Sequence, residues 1–250
     1  MSLCYGKRPA VKDDRDLLFA NYRTAAVTQA PVGYGHTALV KNPWGMLLND
    51  QLGDCAIAGP AHEYMLWNAA AGKQITFTDQ DVLRAYEAIT GYTPSNPSSD
   101  QGSNVRDVLA YRESTGFTDS TGQVHKIAAY VALTPGDWDE LLEALYVFEC
   151  VGLGIQVPSY AEQQFSDGKP WDVEAGQPQI VGGHYIPVVS RPGAEEVQVV
   201  TWGALQGMTE RFYRAFSDES YAMLSMEDLN GGKSLEGFDV TALQSDLAAL

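Results

Sequence analysis

The 250-residue chain has no apolar run long enough to make a membrane-spanning helix, and its first twenty residues lack the unbroken apolar core of a secretion signal. It has only 16 Lys and Arg against 32 Asp and Glu, for a formal charge of −16. So acidic a chain does not hold phosphate backbones or anionic lipid surfaces, which excludes nucleic acid and membrane as partners. Cysteine is scarce too. Cys4, Cys55 and Cys150 are too few for a disulfide framework, and the odd count leaves at least one free thiol. These scarcities fit a protein of a reducing, cytoplasmic setting. No internal repeat, low-complexity tract or long linker divides the sequence.

What is present is the composition of a packed globular protein, 45% apolar and 19% charged. Residues 1–45 have little periodicity and many turn formers, and read as an extended arm strapped over the outside of the body. Helical spacing begins at Cys55 and stops at Gly72, and a second helix starts at Asp79. A Ser-, Pro- and Asn-rich loop follows, then a third helix from Val105. Thr134-Pro135-Gly136-Asp137 carries the start signals of a fourth, DWDELLEALYVF. After Cys150 the texture changes to short β-type runs, VGLGIQVP, HYIPVVS, EVQVVTWG and SYAMLS, with a short helix expected in TERFYRAF. Helices first and strands second predict an α+β class. The expected divisions are an arm at 1–45, a helical lobe at 46–130, a β-rich lobe at 131–228 and a helical tail at 229–250.

The stretch NDQLGDC, residues 49–55, sets a free cysteine where a polar, glycine-containing loop becomes an apolar helix. A thiol reacts as thiolate, and the unpaired N–H groups and dipole of a helix start favour that negative charge. Gly53 lets backbone come close to the reacting centre. A nucleophile also needs a base. Of four histidines, His184 follows Gly182-Gly183 and opens the strand HYIPVVS, so its ring stands at a strand end with an open approach. His62, two turns along the Cys55 helix, is too far along the axis and reads as a packed polar core residue. His36 and His125 lie in loop-like stretches and read as solvent-facing. Cys55, His62 and His184 contain no short-spaced ligand pair, so neither a metal nor another cofactor is expected.

These residues resemble papain-like cysteine peptidases, over most of residues 46–225. The family's cysteine-to-histidine separation is roughly 130–150 residues, and His184 follows Cys55 at about that distance. The resemblance implies a two-lobed fold, with Cys55 as nucleophile and His184 as base facing each other across a cleft. It further implies an oxyanion donor six residues before the nucleophile, which here is Asn49. Gly53, Asp54, Gly183 and Trp202 are expected to line the cleft, Trp202 covering the His184 side. More narrowly, NDxxGDC…GGH…VTWG resembles a group of phage and prophage proteins.

The sequence departs from the family twice. Ala56 replaces an aromatic residue after the nucleophile, and Val200 stands where the family has the asparagine that orients the histidine. Valine cannot fix an imidazole tautomer. Strand alternation nominates Gln198 as the substitute and sends Thr201 to the other face unless a bulge intervenes. Two readings therefore stay open. One is a cysteine peptidase or related amide-bond acyl-transferase acting on a peptide or protein. The other is a virion-associated structural protein, packed against neighbouring virion proteins, that keeps the scaffold with little turnover. A small Cys/His cell-wall amidase is disfavoured, because that class sets its two residues much closer in sequence.

Overall fold

The computed structural model describes residues 3–24, 29–227 and 238–249. Four helices follow from their local signals. The first, α1 (Cys55–Ala70), is buried from Cys55 through Ala69, and a helix enclosed on every side belongs at the centre of a domain. The second, α2 (Asp79–Thr90), starts with a reciprocal capping box between Thr78 and Asp81 and stops at Gly91 in the left-handed conformation. The third, α3 (Val105–Ser114), is capped by the Asn104 side chain. A minor hairpin, β2 (Phe117–Thr118) with β3 (Val124–His125), follows a two-residue β1 (Tyr34–Gly35) placed earlier in the chain.

The rest is built on one antiparallel sheet. Its strands are β4 (Ile127–Ala132), β5 (Val151–Pro158), β6 (Ile180–Gly193), β7 (Glu196–Thr201), β8 (Ala204–Thr209) and β9 (Ser217–Ser225), in the order β4-β9-β5-β6-β7-β8, with β1 added on β6. Between them run α4 (Trp138–Phe148), capped by Asp137, then α5 (Ala161–Ser166) and α6 (Glu210–Phe216); α7 (Val240–Leu247) ends the described chain. Of the expected 229–250 tail, residues 229–237 and 250 lie outside the described residues.

Each face of the sheet covers its own core. On one face Leu153, Ile155, Ile186, Val188, Val197 and Val199 pack with α4 and α6. On the other, Tyr185, Val189, Val200 and Met223 pack with α1 and, beyond it, α2 and α3. The result is an α+β fold of a helical and a β-rich part, with the start of α1 against β6. Burying about 100 Å² of apolar side chain stabilises by roughly 2.5 kcal/mol. Two such cores, one on each face, hold the sheet that carries His184.

Two expectations need correcting. His125 is not solvent-facing. It is buried between Asp119, at 3.2 Å, and Glu227, at 2.7 Å, because the β2–β3 hairpin folds back onto α1. Burial pulls its pKa down, yet the two carboxylates outweigh that and raise it. The arm is not an outer strap either. Phe19 and Tyr22 are core residues, and residues 4–8 run through the cleft.

Candidate active site

Asp54 is the N-cap of α1, its carbonyl accepting from the N–H groups of Ile57 at 2.7 Å and Ala58 at 3.0 Å, so Cys55 occupies the first helical position. The loop before it contains two successive non-glycine residues in the left-handed region, Leu47 and Leu48. Backbone of that kind costs energy and persists where the surroundings impose it. Its effect is to turn Asn49 inward beside Cys55. One N–H of the Asn49 amide donates to Asp54 Oδ1 at 3.2 Å. Burial raises the Asp54 carboxyl well above the usual range, against the opposing pull of that hydrogen bond. Burial thus opposes its charge, and what charge it carries raises the neighbouring Cys55 thiol.

His184 lies on β6, and Tyr185 after it donates its backbone N–H to Cys55 Sγ at 3.4 Å. Cys55 and His184 line the same void, of about 10 Å³, together with Asn49, His62, Thr201 and Trp202. That is room for one water at most. The imidazole is held on two sides. Its Nε2 is 2.8 Å from the Thr201 hydroxyl, and the Trp202 indole stacks on it at 4.8 Å between ring centroids. Its Nδ1 has no hydrogen-bond partner among the described residues.

Thr201, not Gln198, therefore meets His184. Register explains the difference. Val188 pairs with Val199, which puts Val197, Val199 and Thr201 on the face that carries Ile186 and His184. Gln198 is on the opposite face, where its Oε1 accepts from the Ser190 hydroxyl at 2.8 Å. The register shift between Val188 and Ser190 is invisible to simple alternation. Trp202 and Gly203, both at positive φ, make the two-residue turn into β8. That turn ends β7 at Thr201 and swings the indole over the imidazole. His62 is the core residue expected, its Nε2 at 3.0 Å from the Trp44 carbonyl and 3.1 Å from that of Gly45.

The cleft is filled by the chain's own N-terminal segment. Cys4 N–H donates to the Asn49 carbonyl at 3.2 Å, and Lys7 N–H to the Gly183 carbonyl at 3.0 Å. Ser103 N–H donates to the Gly6 carbonyl at 2.8 Å, and Arg8 N–H to the Ser103 carbonyl at 2.9 Å. The Tyr5 ring sits edge-on to His184 and Trp202, at 5.9 and 6.0 Å, while its hydroxyl donates to Glu162. Gly53 and Gly183 line the path, where the segment's backbone comes too close to leave room for side chains on Gly6 and Gly183. Gly6 packs directly on Gly53, and a Cβ on Gly183 would strike the Lys7 carbonyl. The glycine of NDQLGDC thus serves the close approach of backbone.

Enclosure sets the electrostatics. Cys55 and His184 are each 1% exposed. Burial pushes the Cys55 thiol up to about 11, although N–H groups of Tyr185, Gly6 and Lys7 pull it down. Burial alone lowers His184 to about 3. With the segment in place the pair is a neutral thiol and a neutral imidazole. Admitting water removes the desolvation that keeps both uncharged.

No protein-family model matches the chain, and no curated protein matches it. Solved structures do. Xylellain, a cysteine protease from Xylella fastidiosa, superposes with a TM-score of 0.61 at 14% identity, over 90% of this chain and 97% of that one. A procathepsin B from Trypanosoma congolense gives 0.55 at 11% identity, over 89% and 86%. The cysteine protease and lectin-like domains of Cwp84 from Clostridium difficile give 0.56 at 11%, over 89% and 62%. The fold is that of the papain-like cysteine proteases. At such low identities the papain-like likeness is one of architecture, and the chemistry has to be argued from this chain's own side chains.

Proposed function

We propose that the chain is a thiol peptidase or related amide-bond acyl-transferase whose cleft is closed by its own N-terminal segment. The observation that carries this reading is that Cys55 and His184 line one small buried void. Cys55 opens a buried central helix, and His184 beside it has one ring nitrogen on Thr201, one ring face on Trp202 and Nδ1 free. A buried structural cysteine needs none of these. Once the segment leaves, His184 takes the thiol proton and Cys55 attacks the carbonyl carbon as thiolate. The imidazolium then protonates the departing amine, and the neutral ring later draws a proton from the water, or acceptor amine, that releases the acyl group.

The Cys55 N–H and the second N–H of Asn49 are the donors available to the oxyanion, each worth about 3 kcal/mol in comparable sites. Thr201 is a positioning residue. Its hydroxyl can accept the Nε2 proton and so fix the tautomer that leaves Nδ1 as base, the duty Val200 cannot perform. The phage or prophage attribution, and with it a place in a bacterial cytoplasm or a virion, is supported by the sequence motif alone.

The test is degradation of casein by the full chain carrying Lys7→Ala, which weakens the closing segment. Peptides released by that variant and not by Lys7→Ala/Cys55→Ala support the reading. Equal, background release by both, with Cys55 accessible, returns the protein to an inert scaffold.

A further inference from the structure

The closing segment contributes one side chain that is wholly enclosed. Lys7 has a side chain with no exposure, and its Nζ lies 2.9 Å from Asp218 Oδ2, 3.0 Å from Glu219 Oε1 and 3.0 Å from the Arg8 carbonyl. The pocket that receives it belongs to the body. Asp218 and Glu219 open β9, and Gln156 on β5 donates its amide to Asp218. Tyr221 donates its hydroxyl to the other Glu219 oxygen at 3.3 Å.

The floor is Gly154, register partner of Glu219 in a strand whose other residues are mostly branched and apolar. A Cβ at Gly154 would overlap Lys7 Cε and come within 2.9 Å of Asp218 Oδ1. Gly154 does not have a positive φ, so the backbone does not require glycine there. The missing side chain makes the room for the lysine.

Physical chemistry makes this pocket selective. Buried carboxylates are stable only when paired and hydrogen-bonded. Glu219 is 5% exposed and has Asp218 beside it. When the segment leaves, these two carboxylates lose their cation and need another. The pocket also has a fixed relation to the nucleophile, since the residue that fills it donates its backbone N–H to the carbonyl of Gly183, next to His184.

We propose that the pocket formed by Gly154, Gln156, Asp218 and Glu219 is the specificity subsite of the cleft, selecting a lysine, or secondarily an arginine, from peptides that thread it, with Lys7 as its built-in occupant. This rests on the reading of the cleft as a peptide-processing site. An aliphatic side chain of equal length fills the same space without the charge, and an acidic one is repelled. The selectivity therefore resides in the ammonium group.

The experiment uses the full chain carrying Lys7→Ala and follows iodoacetamide labelling of Cys55 by mass spectrometry. Competitors are acetylated peptide amides with the sequence of residues 3–10, serine replacing the cysteine, and lysine, norleucine or glutamate at the Lys7 place. The lysine peptide should protect Cys55 at a concentration at least tenfold below the norleucine peptide, and the glutamate peptide should give no protection. Adding Asp218→Asn and Glu219→Gln should erase the lysine advantage. Gly154→Ala, which keeps both carboxylates and fills the floor, should erase it independently if the double substitution fails to fold.

Equal protection by lysine and norleucine overturns the proposal, as does a Cys55 that Lys7→Ala leaves unlabelled. Protection does not require turnover, so the two readings separate. Lysine-selective protection without casein cleavage leaves the pocket standing and removes the peptidase. Cleavage without a preference for basic residues does the reverse.

Discussion

The Thr201 hydroxyl lies 2.8 Å from Nε2 of His184, on the side of the imidazole away from the free Nδ1. The orienting contact thus comes from the last residue of β7, and the Trp202-Gly203 turn fixes it there. Removing the hydroxyl should misplace the proton while sparing the fold. In the Lys7→Ala background, Thr201→Val should lower kcat by about ten- to a hundredfold with little change in KM, a modest effect beside the larger losses seen when a carboxylate orienter is altered. Thr201→Ser should restore most of it. Equal activity of the valine and serine variants would show that the contact is incidental.

Asn49 supplies the side-chain donor to the oxyanion in this account. Asn49→Ala should cost about a hundred- to a thousandfold in kcat, while labelling of Cys55 by iodoacetamide stays within a few-fold of the parent. A parallel fall in both would mean that the substitution disturbs the Leu47–Leu48 loop and not the oxyanion.

Acid should open the cleft. The closed form keeps His184 near 3, whereas an imidazole in contact with water has its ordinary value of 6.5. Between those values the open form binds a proton that the closed form does not, so opening becomes up to tenfold more favourable per unit of falling pH below about 6.5. Burial also raises Glu219, whose protonation removes one carboxylate from Lys7. Labelling of Cys55 in the unaltered chain by 2,2′-dipyridyl disulfide, which stays electrophilic in acid, should accelerate from pH 7 to pH 5. A flat or falling rate would contradict this linkage.

The site also rests on a buried ion pair. Arg112 on α3 and Glu63 on α1 are both fully enclosed at 2.7 Å, and Tyr185 donates its hydroxyl to Glu63 at 2.7 Å. The same Tyr185 gives its N–H to Cys55. Arg112→Met leaves an uncompensated buried carboxylate and should destabilise by about 3–5 kcal/mol in urea unfolding. Arg112→Met/Glu63→Met should recover much of that loss. A single variant as stable as the parent would show that the pair does not clamp α1 to α3.

Much of this was legible in the sequence where periodicity and punctuation agree. The starts of α1 to α4, at Cys55, Asp79, Val105 and in DWDELLEALYVF, follow from helical spacing and punctuation. NDQLGDC and Gly-Gly-His marked the two sides of the cleft. What escaped depends on long-range register and irregular backbone. Alternation sends Thr201 to the far face because the pairing of Val188 with Val199 cannot be read from β7 alone. The strand β4, with its alanines, and β8, with its glycine, carry weak β signals. The passage of residues 4–8 through the cleft depends on glycines far apart in sequence, Gly6, Gly53 and Gly183, whose mutual approach only the fold reveals. The burial of His125 is invisible in sequence because its carboxylate partners, Asp119 and Glu227, come together through tertiary structure.

The most direct measurement is the pH dependence of Cys55 alkylation by iodoacetamide, read by mass spectrometry in the Lys7→Ala chain with and without His184→Ala. The account predicts an inflection well below the ~8.5 of an ordinary thiol when His184 is present, and its loss when His184 is replaced. An ordinary thiol titration in both proteins would contradict the thiolate–imidazolium pair and the peptidase reading built on it.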